Sequence, residues 1–167
     1  MQEERIRRLN ARLPKTRVIG HGLIRDEAGR VLLCELTYKQ TWDLPGGVVE
    51  PAEPPRLGTL REVREELGAL FQAHRLLAVN WLSPWSGWDD AVVFLFDLGR
   101  HAEALPGTFR LEPHEIRAVH WCTPPEIADC AAAATARLLQ RVLRDGEPGP
   151  ETLYLEDGAD PASHPGE

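Results

Sequence analysis

The sequence predicts an α/β (α+β) fold in which one mixed β-sheet lies between helices. Three observations carry that expectation. Short runs rich in Val, Ile, Leu and Phe recur between Gly- and Pro-containing turns, as strands do. The stretch 55–67 repeats its apolar residues at helical spacing. Strand-like and helix-like stretches are mixed rather than regularly alternating, which fits a mixed sheet.

Residues 3–12 read as a short, basic, amphipathic helix ahead of Pro14. From Arg17 to Leu36 the pattern is a hairpin: two apolar runs, RVIGHGLIR and RVLLCEL, flank a turn at Asp26-Glu27-Ala28-Gly29. Trp42-Asp43-Leu44 then leads into Pro45-Gly46-Gly47, where a turn or a close backbone approach is expected. The helix over 55–67 starts at Pro54-Pro55 and ends at Gly68, which sits where a C-terminal cap belongs. Its Leu57, Leu60, Val63 and Leu67 are expected to form one buried stripe. Leu76–Leu82 and Ala91–Leu98 read as strands joined by a Trp-rich loop, 83–90, and Ile116–Trp121 as a further strand. One helix is expected from Pro124 to Arg144, with Ala131–Ala134 allowing close packing. This divides the chain into a single domain, 1–146, and a flexible acidic tail, 147–167, in which only Leu153-Tyr154-Leu155 has the character to dock.

Composition narrows the classes. The 167 residues suit one domain with a real core, and 43% hydrophobic with 27% charged residues is ordinary for a globular chain. No apolar run approaches the roughly 20 residues of a membrane span, and MQEERIRRLNARLP lacks the apolar centre of a signal peptide. The chain therefore reads as cytoplasmic, with no membrane partner. Cys34, Cys122 and Cys130 are too scattered for a disulfide framework or a zinc site and read as buried thiols. A net charge of −7 argues against a broad footprint on duplex nucleic acid. It leaves a small nucleotide open, because a metal bridges acidic side chains to phosphate oxygens. A homodimer is equally open.

The chemistry concentrates in Leu60-Arg61-Glu62-Val63-Arg64-Glu65-Glu66-Leu67-Gly68. Glu62, Glu65 and Glu66 stand at i, i+3 and i+4, so a helix brings them to one face with Cβ atoms about 5–6 Å apart. Three like charges so placed repel one another, and a hard cation such as Mg²⁺ or Mn²⁺ reverses that cost. Alone, the cluster reads more readily as a solvated acidic face balanced by Arg61 and Arg64. The wider spacing decides otherwise. Gly47, five residues, Glu53, seven residues, then Arg61-Glu62-Val63-Arg64-Glu65-Glu66-Leu67-Gly68 resembles the Nudix box, G-x5-E-x7-R-E-U-x-E-E-x-G-U. Ala69 departs from the last aliphatic position, which touches packing rather than chemistry. Leu44-Pro45-Gly46-Gly47 and the stretch 115–121 look like the family as well.

That resemblance implies a Nudix-type α/β/α sandwich and hydrolysis of a nucleoside diphosphate linked to another moiety, with Mg²⁺ or Mn²⁺ as cofactor. By position, Glu62, Glu65, Glu66 and the Gly47 carbonyl match the family's metal ligands. Glu53 and Arg61 match a pair that braces the loop against the helix. The catalytic base comes either from the box, with Glu65, or from a later loop, with Glu115 and then Glu112 as candidates. Trp85 and Trp88 in the 83–90 loop, and Trp42, are candidates to stack on a base. ADP-ribose or nucleotide-sugar substrates and nucleoside triphosphates both remain open. The rival reading is a non-catalytic Nudix-fold sensor; such modules typically lose box glutamates, and this chain keeps them all.

Overall fold

The structure, a computed structural model, describes residues 1–161. Its centre is a seven-stranded mixed sheet. Strands β1 (Arg17–Asp26) and β2 (Val31–Leu36) form the expected hairpin. The Arg30 amide donates to Asp26 Oδ1 at 2.8 Å and closes the turn. β3 (Gly46–Val48) lies antiparallel on β1 with Gly47 opposite Gly20 and Gly46 opposite His21. Helix α1 (Gln2–Asn10) precedes β1 and buries none of its residues. β4 (Arg75–Leu82) and β5 (Ala91–His101) pair antiparallel, and β5 runs parallel to β1. A 3₁₀ turn, Leu105–Thr108, leads towards β6 (Ile116–Cys122), which pairs with β2.

Alternation along the strands sends side chains to two separate cores. Ile24, Leu32, Cys34 and Phe96 face helix α2 (Pro55–Leu67) with its Val63 and Leu67. Leu23, Leu33, Leu44 and Leu95 face the other way, against α3 (Pro124–Cys130) and α4 (Ala133–Val142). The result is the expected helix–sheet–helix sandwich.

Three expectations need correction. Leu57 is exposed, and the buried face of α2 is Thr59, Val63, Glu66 and Leu67. The helix sits hard against β1: a Cβ at Gly20 would fall 2.0 Å from Thr59 Oγ1, so glycine there sets which face is covered. The helix expected over 124–144 is broken at Ala131–Ala132, whose ψ angles of 156° and 139° lie outside the helical region. There the backbone serves Trp42 instead: the Trp42 amide donates to the Cys130 carbonyl, and the Ala132 amide donates to the Trp42 carbonyl.

The third correction concerns the expected flexible tail. Two-residue strands β7 (Leu143–Arg144) and β8 (Glu147–Pro148) make a small hairpin, and β9 (Leu153–Glu156) then pairs parallel with β4 as the sheet's outer strand. Leu155 is fully buried. Residues 147–161 therefore belong to the folded unit; 162–167 lie outside the described residues.

Candidate active site

The box assembles where β3 and α2 meet. Gly46 has φ +135°, a conformation open to glycine, and a Cβ there would meet the Gly20 carbonyl oxygen at 2.1 Å. At Gly47 a Cβ would meet Glu62 Oε2 at 2.6 Å, so the missing side chain is what admits the Glu62 carboxylate beside the loop. Gly68, in the left-handed region at φ +65°, ends the helix.

Glu66 is the unusual residue. It is 5% exposed, and its carboxylate accepts from the Gly46 amide at 2.8 Å. Burial pushes its pKa up to about 8; the Gly46 hydrogen bond opposes this, and the charges of Glu62, Glu115 and Asp43 add to it. Burial also raises Glu62, against the pull of Arg61 and with smaller additions from Glu65 and Glu115. Glu115, expected from sequence only as a loop acid, thus lies close enough for its charge to bear on both box glutamates. Glu112 is tied in through its backbone, whose amide donates to the Glu66 carbonyl, while its carboxylate caps its own turn at His114.

Arg61 holds the loop to the helix. It donates to both oxygens of Glu53 (2.9 and 3.0 Å), to Glu62 (2.8 Å), to Glu65 (3.1 Å) and to the Val48 carbonyl (3.2 Å). Glu53 in turn accepts from the Glu50 amide, and Gly58 leaves room for its carboxylate. This planar fork, rather than a point charge, suits a brace that must meet several oxygens at once. Glu65 is the outlying member: it is largely exposed and turned to Arg61. Among the described residues no three acidic, His or Cys side chains converge into a finished cation cage. The donors still fit a hard divalent ion. Glu66 is a desolvated carboxyl surrounded by anions, Glu62 lies against a Cβ-free backbone at Gly47, and all are oxygen donors.

The aromatic candidates separate. Trp42 is stacked on His120 with ring centroids 4.0 Å apart, and it packs against the core beneath α4. One of its faces is therefore occupied, which weakens it as a stacking platform. Trp85 and Trp88 are 77% and 63% exposed, at the tip of the β4–β5 loop, with the Arg17 guanidinium 4.6 Å from the Trp88 ring centroid. Arg17 starts β1, three to four residues before Gly20 and His21, which face the box loop. At about 3.3 Å per residue that is roughly 10–13 Å along the strand.

Sequence reasoning underweighted His21 and Tyr38. His21 pairs with Gly46, its Nδ1 is buried with no partner among the described residues, and burial lowers its pKa against the charge of Asp43. Burial raises the phenol of Tyr38, and so do the charges of Glu66, Glu115 and Asp43. Neither residue carries a motif; their place follows from the register of β1 on β3 and the path of the loop after β2.

Residues 15–142 match the NUDIX domain family. The chain belongs to the Nudix hydrolase family. It is 33% identical over 119 residues to a MutT-like protein of Streptomyces ambofaciens, covering 71% of each chain. It is 32% identical over 102 residues to the CTP pyrophosphohydrolase of Escherichia coli, covering 59% of this chain and 70% of that protein. Against the nucleoside triphosphatase NudI of Klebsiella pneumoniae the figure is 36% over 91 residues, 52% of this chain and 60% of NudI. In three dimensions this Nudix chain resembles a MutT Nudix hydrolase from Burkholderia pseudomallei, with TM-score 0.66, 26% identity, and coverage of 78% of this chain and 100% of that one.

Proposed function

We propose that this protein hydrolyses a P–O–P linkage in a nucleoside diphosphate-linked compound, using a divalent ion held by Glu62, Glu65, Glu66 and the Gly47 carbonyl. The observation that carries the reading is Glu66, a carboxyl buried among other acids and anchored to the Gly46 amide. Fold maintenance alone gives no reason to bury a carboxyl where it is this hard to ionise, whereas a bound cation makes the anionic form the stable one. When bound, Mg²⁺ or Mn²⁺ positions and acidifies water and neutralises charge on the phosphate oxygens. The chain's own part is to fix the carboxylates on a rigid helix, through Arg61 and Glu53, and to receive the proton of the attacking water. Glu115 is our candidate to take that proton; its exposure and the bearing of its charge on Glu62 and Glu66 support it. Trp85 and Trp88, exposed beside Arg17, are the platform for the base in this reading. The names of the relatives, CTP pyrophosphohydrolase and nucleoside triphosphatase, support a nucleotide substrate.

A screen of nucleoside triphosphates, ADP-ribose and nucleotide sugars for phosphate, pyrophosphate or nucleotide release, with Mg²⁺ and Mn²⁺, tests the reading. Turnover of at least one class should appear with either metal and vanish in excess chelator. Full turnover in chelator would remove the metal from the reaction. Silence across all classes with both metals would remove the activity.

A further inference from the structure

The segment 110–115, which leads into β6, is held between α2 and the end of β2. On the α2 side the Arg110 amide donates to the Leu67 carbonyl and the Glu112 amide to the Glu66 carbonyl, both at 2.9 Å. The last carbonyls of a helix have no partner within it, so this segment completes the box helix. Gly68 leaves the room: a Cβ there would meet the Arg110 carbonyl oxygen at 2.7 Å. The segment then turns on Glu112, whose carbonyl accepts from the amides of Glu115 at 3.1 Å and Ile116 at 2.8 Å. Its far side is held by Thr37, the first residue after β2. The Thr37 amide donates to the Glu115 carbonyl at 2.9 Å, and Thr37 Oγ1 donates to the His114 carbonyl at 2.6 Å.

The two bonds from Thr37 have different causes. The amide bond continues the β2–β6 ladder by one rung, and any residue but proline makes it. The hydroxyl bond is extra. His114 is exposed, so water would satisfy its carbonyl nearly as well, and the fold alone does not ask for a threonine here. Glu115 supplies the reason. Its carboxylate is exposed and has no hydrogen-bond or ion-pair partner among the described residues, so only the backbone that carries it can aim it. That backbone is tied to α2 at one end and to Thr37 at the other, with the hydroxyl bond one residue away.

We infer that Thr37 is a positioning residue, whose hydroxyl fixes the backbone at His114 and thereby aims the Glu115 carboxylate at the attacking water. The inference rests on the proposed role of Glu115 as proton acceptor and names the side chain that makes the role workable. A proton acceptor must stand within about 2.6–3.2 Å of the oxygen it serves. A displacement near 1 Å costs up to roughly 10²-fold in rate. Loops hold groups less precisely than helices or strands do, so a loop carboxylate needs such a tether.

The test is steady-state kinetics of the full chain on the four nucleoside triphosphates, ADP-ribose and UDP-glucose at saturating Mg²⁺. Thr37→Val keeps the branched shape and removes the donor, so kcat should fall roughly 5- to 30-fold with KM within about twofold. Thr37→Ser keeps the hydroxyl and should restore most of the rate. In a Glu115→Gln background, Thr37→Val should lower kcat no further, because no carboxylate is left to aim. Melting of Thr37→Val should move by about 2–4 °C at most, the share of one hydrogen bond. Wild-type kcat in Thr37→Val, beside a slow Glu115→Gln, overturns the inference and leaves the hydrolase reading intact. So does a loss that persists undiminished in the double variant, which marks a structural role. Wild-type kcat in Glu115→Gln removes the proton acceptor from the proposed function and the role of Thr37 with it. Wild-type silence on every nucleotide removes both.

Discussion

At the scale of single residues, Glu66 concentrates the argument. Its carboxyl is buried on α2 and hydrogen-bonded to Gly46, and in the metal-free protein its pKa lies at about 8. An unfolded glutamate ionises near 4.3. The folded chain therefore holds this proton more tightly than the unfolded one. The stability it contributes is fully present below the unfolded value and is lost as pH rises towards 8. Metal-free protein should melt at progressively lower temperature from pH 5 to pH 8, and Mg²⁺ at pH 8 should restore what was lost. Glu66→Gln keeps the volume and removes the titration, so its melting temperature should be flatter over that range. The same variant should lose at least ~10²-fold in kcat, because a hard ion loses an anionic ligand. A pH slope in Glu66→Gln equal to wild type, or a rate within threefold at saturating metal, would take Glu66 out of the role given to it.

At the scale of elements, legibility followed how local the cause was. Helix α2 was readable because its caps and its carboxylate spacing lie within or next to the box. The face it buries was misread at Leu57 because that depends on Gly20, on a different strand. The break between α3 and α4 was invisible for a similar reason: the hydrogen bonds that open it come from Trp42, far off in sequence. The run of alanines favours helix and carries no sign of that competition. The β4–β5 loop was legible as a loop, and its two tryptophans remain solvent-facing. If they stack on a base, Trp85→Ala or Trp88→Ala should raise KM by roughly 5- to 150-fold, the equivalent of about 1–3 kcal/mol, with a smaller change in kcat. Rings this exposed hold little of the fold, so melting should barely move. Unchanged KM on every cleaved substrate would show that the loop does not read the base.

At the scale of the whole molecule, the C-terminal segment shows what composition conceals. Residues 147–160 are rich in Gly, Pro, Asp and Glu, which reads as a tail, but here Glu147, Asp157 and Asp160 are partners rather than solvated charges. Glu147 pairs with Arg25 and Arg100, and Arg25, on β1, also meets Asp97 on the neighbouring β5 at 3.1 Å. Arg75 donates to the carbonyls of Pro148, Gly149 and Pro150, and the Ser83 amide donates to Asp157. β9 then covers the unpaired edge of β4, and Leu155 enters the same core as Leu23, Leu77 and Leu139. One apolar side chain at the right register thus anchors a polar segment. Leu155→Ala should cost about 2–5 kcal/mol, the range for truncating a buried leucine. For a domain of this size each kcal/mol shifts melting by about 2–4 °C, so a fall of roughly 4–20 °C is expected. Tyr154→Ala, one residue away and exposed at 57%, is the control and should change little. If Leu155→Ala melts within 2 °C of wild type, the segment is the loose tail that its composition suggests, and β9 is not part of the cooperative fold.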